Sequence, residues 1–130
     1  MTFQITTDER LELIDVTTRV TEQLPSDIDR GVCTIFVPHT TAGVIVNEYE
    51  PRLLADLEGM LEGLVSDDGA YEHDAIDDNA AAHLRATILG ESASIPVVDG
   101  ELALGTWQSV IVVECDGPRT RSLEVAIARE

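Results

Sequence analysis

The chain has 130 residues, enough for one hydrophobic core and too few for two. Its 25 acidic residues outweigh 8 basic ones, all of them arginine, and the formal net charge of −17 makes a surface that repels nucleic acid and anionic membranes. Nowhere do 18 apolar residues run together and charge begins by Asp8, so the expectation is a cytoplasmic protein with no leader, no membrane span and no nucleic-acid partner.

In chain order, "TFQITT" and "LELIDV" alternate as strands of a sheet with one wet face. "TTRVTEQL" predicts a short helix, with Val20 and Leu24 at i and i+4, closed by Pro25. "GVCTIFV" and "GVIVN" are strands on either side of Pro38, His39, Thr40 and Thr41. "EPRLLADLEGMLEGLV" has apolar residues at 53, 54, 57, 60, 61, 64 and 65, a helical spacing, with Pro51 suited to the first turn.

Residues 66–77 carry no period and predict a loop. Asp77 or Asp78 is then the expected cap of a helix over "NAAAHLRATIL", which ends at Gly90. "SIPVV", a "DG" turn, "ELAL", "TWQSVIVVE", a "DGP" turn and "RSLEVAIA" complete the strands. Strands at both ends with helices between them predict α+β: a mostly antiparallel β-sandwich with two to three helices in a single domain.

The lysine-free acid excess points to a salt-adapted, halophilic setting. In molar salt the screening length falls to about 3 Å, and a surface that would strain the fold in dilute buffer becomes tolerable. Cys33 and Cys115 sit in apolar runs without metal spacing and read as buried free thiols.

Reactive side chains gather in three places. His39, Thr40, Thr41, Asn47 and Glu48 bracket the strand "GVIVN". Asn79 and His83 lie at i and i+4 on one helix face, with His73 on the loop before it. Trp107 and Gln108 open one strand, and Arg119 and Arg121 begin the next, alternating so that both face one way.

A lone helix histidine packs or caps more often than it ligates, and a single tryptophan is more often an anchor in a core or interface. The two arginines are different, because guanidinium forks suit phosphate or carboxylate in a chain short of cations. His39, His73 and His83 with nearby carboxylates also form a candidate set for a divalent metal, Mg or Zn. Nucleotide-binding and nucleophilic-serine motifs are absent: there is no GxGxxG, P-loop, GxSxG or CxxC.

"PHTTAGVIVNE", "HD" with "DDNAAAHLRATILG", and "SIPVVDGELALGTWQSVIVVECDGPRTR" together resemble the YjbQ-like family, also called the secondary thiamine-phosphate synthase family. The resemblance runs from about residue 10 to 128, and "GELALGTWQ" followed by "ECDGPRTR" is its most distinctive part. It implies a homotrimer with polar pockets near subunit boundaries, and a weak activity that joins a pyrimidine diphosphate to a thiazole phosphate with release of pyrophosphate.

The family's polar positions match here at His39, Thr40, Thr41, Asn47, Glu48, Asn79, His83, Trp107, Gln108, Arg119 and Arg121. Set against that reaction, His39, Glu48 and His83 are the expected catalytic groups, handling protons or a divalent ion. The remaining positions are expected to bind a small phosphate-bearing substrate, with the Thr40–Gly43 turn offering hydroxyls and amides. Two other readings stay open, a non-catalytic anion- or metabolite-binding trimeric module and a metal-dependent hydrolase built on the histidines.

Overall fold

A computed structural model describes residues 1–130. The elements follow as β1 (Thr2–Thr6), β2 (Glu12–Asp15), α1 (Thr17–Thr21), β3 (Gly31–Phe36), β4 (Ala42–Asn47), α2 (Pro51–Leu64), a 3-10 turn (Glu72–Ala75), α3 (Ala80–Leu89), β5 (Ser92–Val98), β6 (Glu101–Leu102), β7 (Ser109–Glu114) and β8 (Thr120–Arg129). Every strand pairing is antiparallel, in a five-stranded sheet β1-β8-β3-β5-β6 and a three-stranded sheet β2-β7-β4. This is the expected α+β fold.

Strand alternation builds the main core between the two sheets. Phe3 and Ile5, Cys33 and Ile35, and Leu123 and Val125 point inward from one sheet, against Val44, Val110 and Val112 of the other. β7 departs from alternation because both of its faces are covered. Val110 and Val112 enter the sandwich, whereas Ile111, Val113 and Cys115 meet Leu61 of α2 and Ala82 of α3 on the outside of the small sheet. An uninterrupted apolar run is what a doubly covered strand requires.

The helices are fixed by polar contacts as well as by packing. Glu50 caps α2 by accepting from the Leu53 amide at 2.7 Å, with Pro51 in the first turn. Arg85 of α3 is fully buried, and its guanidinium donates to the Leu61 and Val65 carbonyls at the end of α2 and to Asp67. At the other end of α3, the Gly90 carbonyl accepts from the Val44 amide at 3.1 Å. Only glycine at position 43 permits this approach, since a Cβ there would lie 2.8 Å from both the Gly90 oxygen and Leu89 Cβ.

Four local expectations need correction. Residues 66–77 contain the 3-10 turn, which earns its place by presenting Asp74: its carboxylate accepts from the Ala80 amide at 2.9 Å and caps α3. Neither Asp77 nor Asp78 does this, and Asn79 in the cap position bonds elsewhere. The strand expected to open at Thr106 begins at Ser109, because the Gln108 side-chain carbonyl takes the Gly105 amide at 2.7 Å and closes a turn. Helix α1 stops at Thr21, short of Leu24.

No helix is long and apolar enough to cross a membrane. Cys33 and Cys115 are free and buried, and burial pushes each thiol up to about 11, as expected of inert packing groups.

Candidate functional site

One end of the sandwich is closed by polar groups drawn from both sheets. Glu114, the last residue of β7, and Arg121 of β8 are buried there, 0% and 4% exposed, and form a two-pronged ion pair in which Arg121 Nε donates to Glu114 Oε1 at 2.9 Å. Arg121 Nη2 also donates to the Thr41 hydroxyl at 2.9 Å, and the Thr7 hydroxyl donates to Glu114 at 2.9 Å. Burial pushes the Glu114 carboxyl up, but the Arg121 guanidinium, the Asp116 amide and the Thr7 hydroxyl outweigh it and hold the group below the usual carboxylate range.

Above this pair lies the "DGP" turn. Asp116 Oδ2 accepts from Arg119 Nη2 at 2.8 Å and from Asn79 Nδ2 at 3.0 Å, joining the turn to α3. Gly117 is required beneath it, since a Cβ would lie 2.1 Å from the Glu9 carbonyl oxygen. Burial raises the Asp116 carboxyl while Asn79 and Arg119 lower it, and the net effect is downward.

His39 leans on the opposite wall, with Nε2 2.9 Å from the Ser122 carbonyl and 3.1 Å from the Ser122 nitrogen. Protonated, Nε2 donates to the carbonyl; unprotonated, it accepts from the amide. Either way that edge of the ring is spent on β8. His83, one turn beyond Asn79, lies edge-to-face on His73 with ring centroids 4.6 Å apart.

Together these groups enclose a cleft of about 380 Å³, lined by His39, Thr40, Thr41, Asn79, His83, Arg119 and Arg121, with Pro38, Asp77 and Asp116. None of its ten lining residues is hydrophobic. A second cleft of about 270 Å³ continues past Asn79 and Asp116, and a third past His39 and His83.

A model of the UPF0047 protein YjbQ-like family matches residues 1–130. The chain belongs to this family. It is 49% identical over 123 residues to a UPF0047 protein of Methanothermobacter thermautotrophicus, covering 94% of this chain and 86% of that one. With YugU of Bacillus subtilis, also a UPF0047 protein, it shares 39% over 126 residues, covering 93% and 92%. Among solved structures, a hypothetical protein of Aeropyrum pernix superposes with TM-score 0.96 at 44% identity, covering 100% and 98%. A YbjQ-like protein of unknown function from Sulfolobus solfataricus gives 0.94 at 40% identity, covering 100% of this chain and 96% of that one.

In this YjbQ-like chain eleven of the anticipated site residues divide into two groups, and His73 lies behind His83 outside the cleft lining. Seven line the cleft: His39, Thr40, Thr41, Asn79, His83, Arg119 and Arg121. Asn47, Glu48, Trp107 and Gln108 lie at the far end of the same strand pair, where Asn47 is in register with Ser109, while Ala42 is in register with Glu114 beside the cleft. At about 3.3 Å per residue the two ends of β4 stand roughly 17 Å apart. Glu48 is therefore outside the cleft that holds His39 and His83.

The arginines both line the cleft, but Arg119 precedes β8 and is exposed whereas Arg121 lies within it and is buried, so they do not share a role. Arg121 is consumed by Glu114 and Thr41, and only the half-exposed Arg119 reaches solvent. Of the turn expected over Thr40–Gly43 only Thr40 is exposed, because Thr41, Ala42 and Gly43 are buried and the last two already belong to β4.

Nor do the histidines converge as metal ligands. No group of three or more His, Cys, Asp or Glu side chains could hold a metal ion, His39 has Nε2 engaged by Ser122, and His73 Nε2 is buried without a partner. A Zn ion would therefore find no set of three protein ligands within one chain. Asp116 is the residue sequence reasoning missed, and its signal was its place in "CDGPR", a turn carrying a carboxylate three residues before an arginine.

Proposed function

We propose that this protein is a secondary thiamine-phosphate synthase-like transferase, a cytoplasmic homotrimer adapted to high salt, joining a pyrimidine diphosphate to a thiazole phosphate. The observation that carries the reading is the wholly polar cleft in which Arg119, Thr40, His39 and His83 surround a space suited to a phosphate group. In the transfer, the thiazole ring nitrogen attacks the methylene carbon of the pyrimidine. The C–N bond forms, the C–O bond to the diphosphate breaks, and pyrophosphate leaves with the electron pair.

Negative charge grows on the leaving oxygen, and fixed donors aimed at it lower the barrier. Arg119 is the exposed cation of the cleft, Thr40 supplies a hydroxyl, and His83 donates to the diphosphate from α3. His39 holds the opposite wall through Ser122. A site with one accessible arginine and no lysine suits slow turnover.

A second reading has one observation in its favour. Both arginines are already paired, to Asp116 and Glu114, which leaves modest positive charge and fits a non-catalytic anion-binding module. The hydrolase reading has no such support, for want of a donor set. Calorimetry in molar KCl with pyrophosphate separates anion binding from none, and His83→Ala is expected to weaken that binding while the protein stays folded. Product formation then separates enzyme from module: thiamine phosphate appearing no faster than in a protein-free blank removes the synthase.

A further inference from the structure

The charges of the cleft do not add up to an anion site alone. Its lining carries two arginines and two aspartates, Asp77 and Asp116, and Glu114 lies beneath, against Arg121. With its histidines neutral the cleft has no surplus of positive charge, in a chain whose net charge is −17. A phosphate entering by itself would bring negative charge that nothing there offsets. Asp116 is engaged by Arg119 and Asn79, and Arg121 by Glu114 and Thr41. Asp77 is different: its carboxylate accepts no hydrogen bond and has no cation within 4.0 Å, and the helix cap expected of it is made by Asp74 instead.

The backbone brings this free carboxylate to the cleft. The Asp77 amide donates to the His73 carbonyl at 3.4 Å, at the end of the 3-10 turn. Asp78 then takes a left-handed φ of 52°, a conformation that aspartate tolerates. The two neighbouring aspartates line different clefts, Asp77 the one that holds His39 and Arg119, Asp78 the one beyond Asn79. Asp77 comes from the loop before α3 and Arg119 from the turn before β8, so opposite charges border one space from two elements. Asp116 does most to raise the Arg119 guanidinium, through its hydrogen bond and its charge, and Glu114 and Asp77 add to it, so the field of Asp77 reaches Arg119.

Resting on the anion-site reading above, we infer that the ligand of this cleft is zwitterionic, a phosphate ester that also carries a cationic nitrogen, with Arg119 holding the phosphate and Asp77 the cation. Such a ligand matches both unsatisfied charges of the cleft and brings less net charge into an acidic protein. The transfer proposed above creates the same pair of charges. When the thiazole nitrogen gives its lone pair to the methylene carbon, the ring becomes positive as pyrophosphate leaves with negative charge. Asp77 supplies the countercharge for the first and Arg119 for the second.

O-phosphoethanolamine and ethyl phosphate isolate the effect, because they differ only by an ammonium, which stays charged at neutral pH. In calorimetry wild type should bind O-phosphoethanolamine about threefold to fivefold more tightly than ethyl phosphate, the span of a partly exposed ion pair. Asp77→Asn keeps the shape and removes the charge. It should weaken O-phosphoethanolamine while strengthening ethyl phosphate and pyrophosphate, bringing the preference to about one. A structural role for Asp77 would move all three ligands in the same direction. Arg119→Ala should weaken both esters and leave the preference in place. Asp77 is exposed and bonds only through its backbone, so the variant is expected to melt as wild type does.

Ethyl phosphate bound by wild type as tightly as O-phosphoethanolamine overturns the inference, and so does a preference that survives Asp77→Asn. If pyrophosphate binds and the preference is missing, the anion site stands and the zwitterionic ligand falls. If neither ester nor pyrophosphate binds, the anion site falls and the inference with it.

Discussion

Arg121 of β8 and Glu114 of β7 form a buried ion pair across the mouth of the sandwich, tying one sheet to the other directly beneath Thr41. Arg119, two residues earlier, pairs with Asp116 in half-exposed surroundings. Their substitutions should separate cleanly. Glu114→Gln or Arg121→Met strands a partner in the interior and is expected to cost about 3–5 kcal/mol in chemical unfolding. Arg119→Ala should cost less than about 1 kcal/mol, while weakening pyrophosphate binding in calorimetry. Equal stability losses at the two positions contradict the division between a structural and a ligand-facing arginine.

The same network sets a pH dependence. Glu114 and Asp116 are held below their ordinary values of 4.5 and 3.8. As pH falls the unfolded chain therefore takes up these protons first, so stability rises with pH across this window. The contribution is fully present above the ordinary values and is lost as pH drops through the lower folded ones. In molar KCl, where self-repulsion is screened, the melting temperature should hold from pH 7 to about 5 and fall below about 4. A loss confined to the alkaline side runs against this account.

Net charge gives a salt dependence of separate origin. At −17 the chain repels itself in dilute buffer. Raising KCl from about 0.1 M to 1 M shortens the screening length from about 10 Å to 3 Å, so the melting temperature should climb and sedimentation should shift toward the oligomer. A flat melting curve across that range removes the halophilic reading.

Gly43→Ala probes the link between fold and site. The added Cβ meets the Gly90 carbonyl and Leu89 Cβ at 2.8 Å, and relief comes only by moving the end of α3 away from β4. A stability loss of about 1–3 kcal/mol is expected, together with weaker pyrophosphate binding, because α3 carries His83 and starts from Asn79. Unchanged affinity in the folded variant would mean that the position of α3 does not govern the cleft.

Much of the architecture is legible from periodicity. The alternation of "TFQITT" and "GVCTIFV" and the helical spacing after Pro51 each led to the right element, since burial on one face leaves its period in the sequence. The i, i+4 relation of Asn79 and His83 likewise placed both on the cleft. The misses have a common physical cause, in side chains that replace backbone partners. Asp74 caps α3 from six residues away, and Gln108 delays the start of β7 by taking the Gly105 amide.

Charge pairing was equally invisible. "RTR" looks like two free cations until Glu114 and Asp116 are seen beneath them. The separation of Glu48 from His39 was hidden for another reason: the residues between them include all of β4, which spans roughly 17 Å only when the chain is known to be extended.

The most direct test is the appearance of thiamine phosphate when the purified protein, in molar KCl, meets the pyrimidine diphosphate and the thiazole phosphate. Wild type, His83→Ala and Arg119→Ala would be assayed side by side with a protein-free blank. The account predicts product above the blank for wild type, and a rate lower by about tenfold or more in each variant, as removal of a donor to a developing anion requires. A wild-type rate equal to the blank, or a rate untouched by both substitutions, contradicts it.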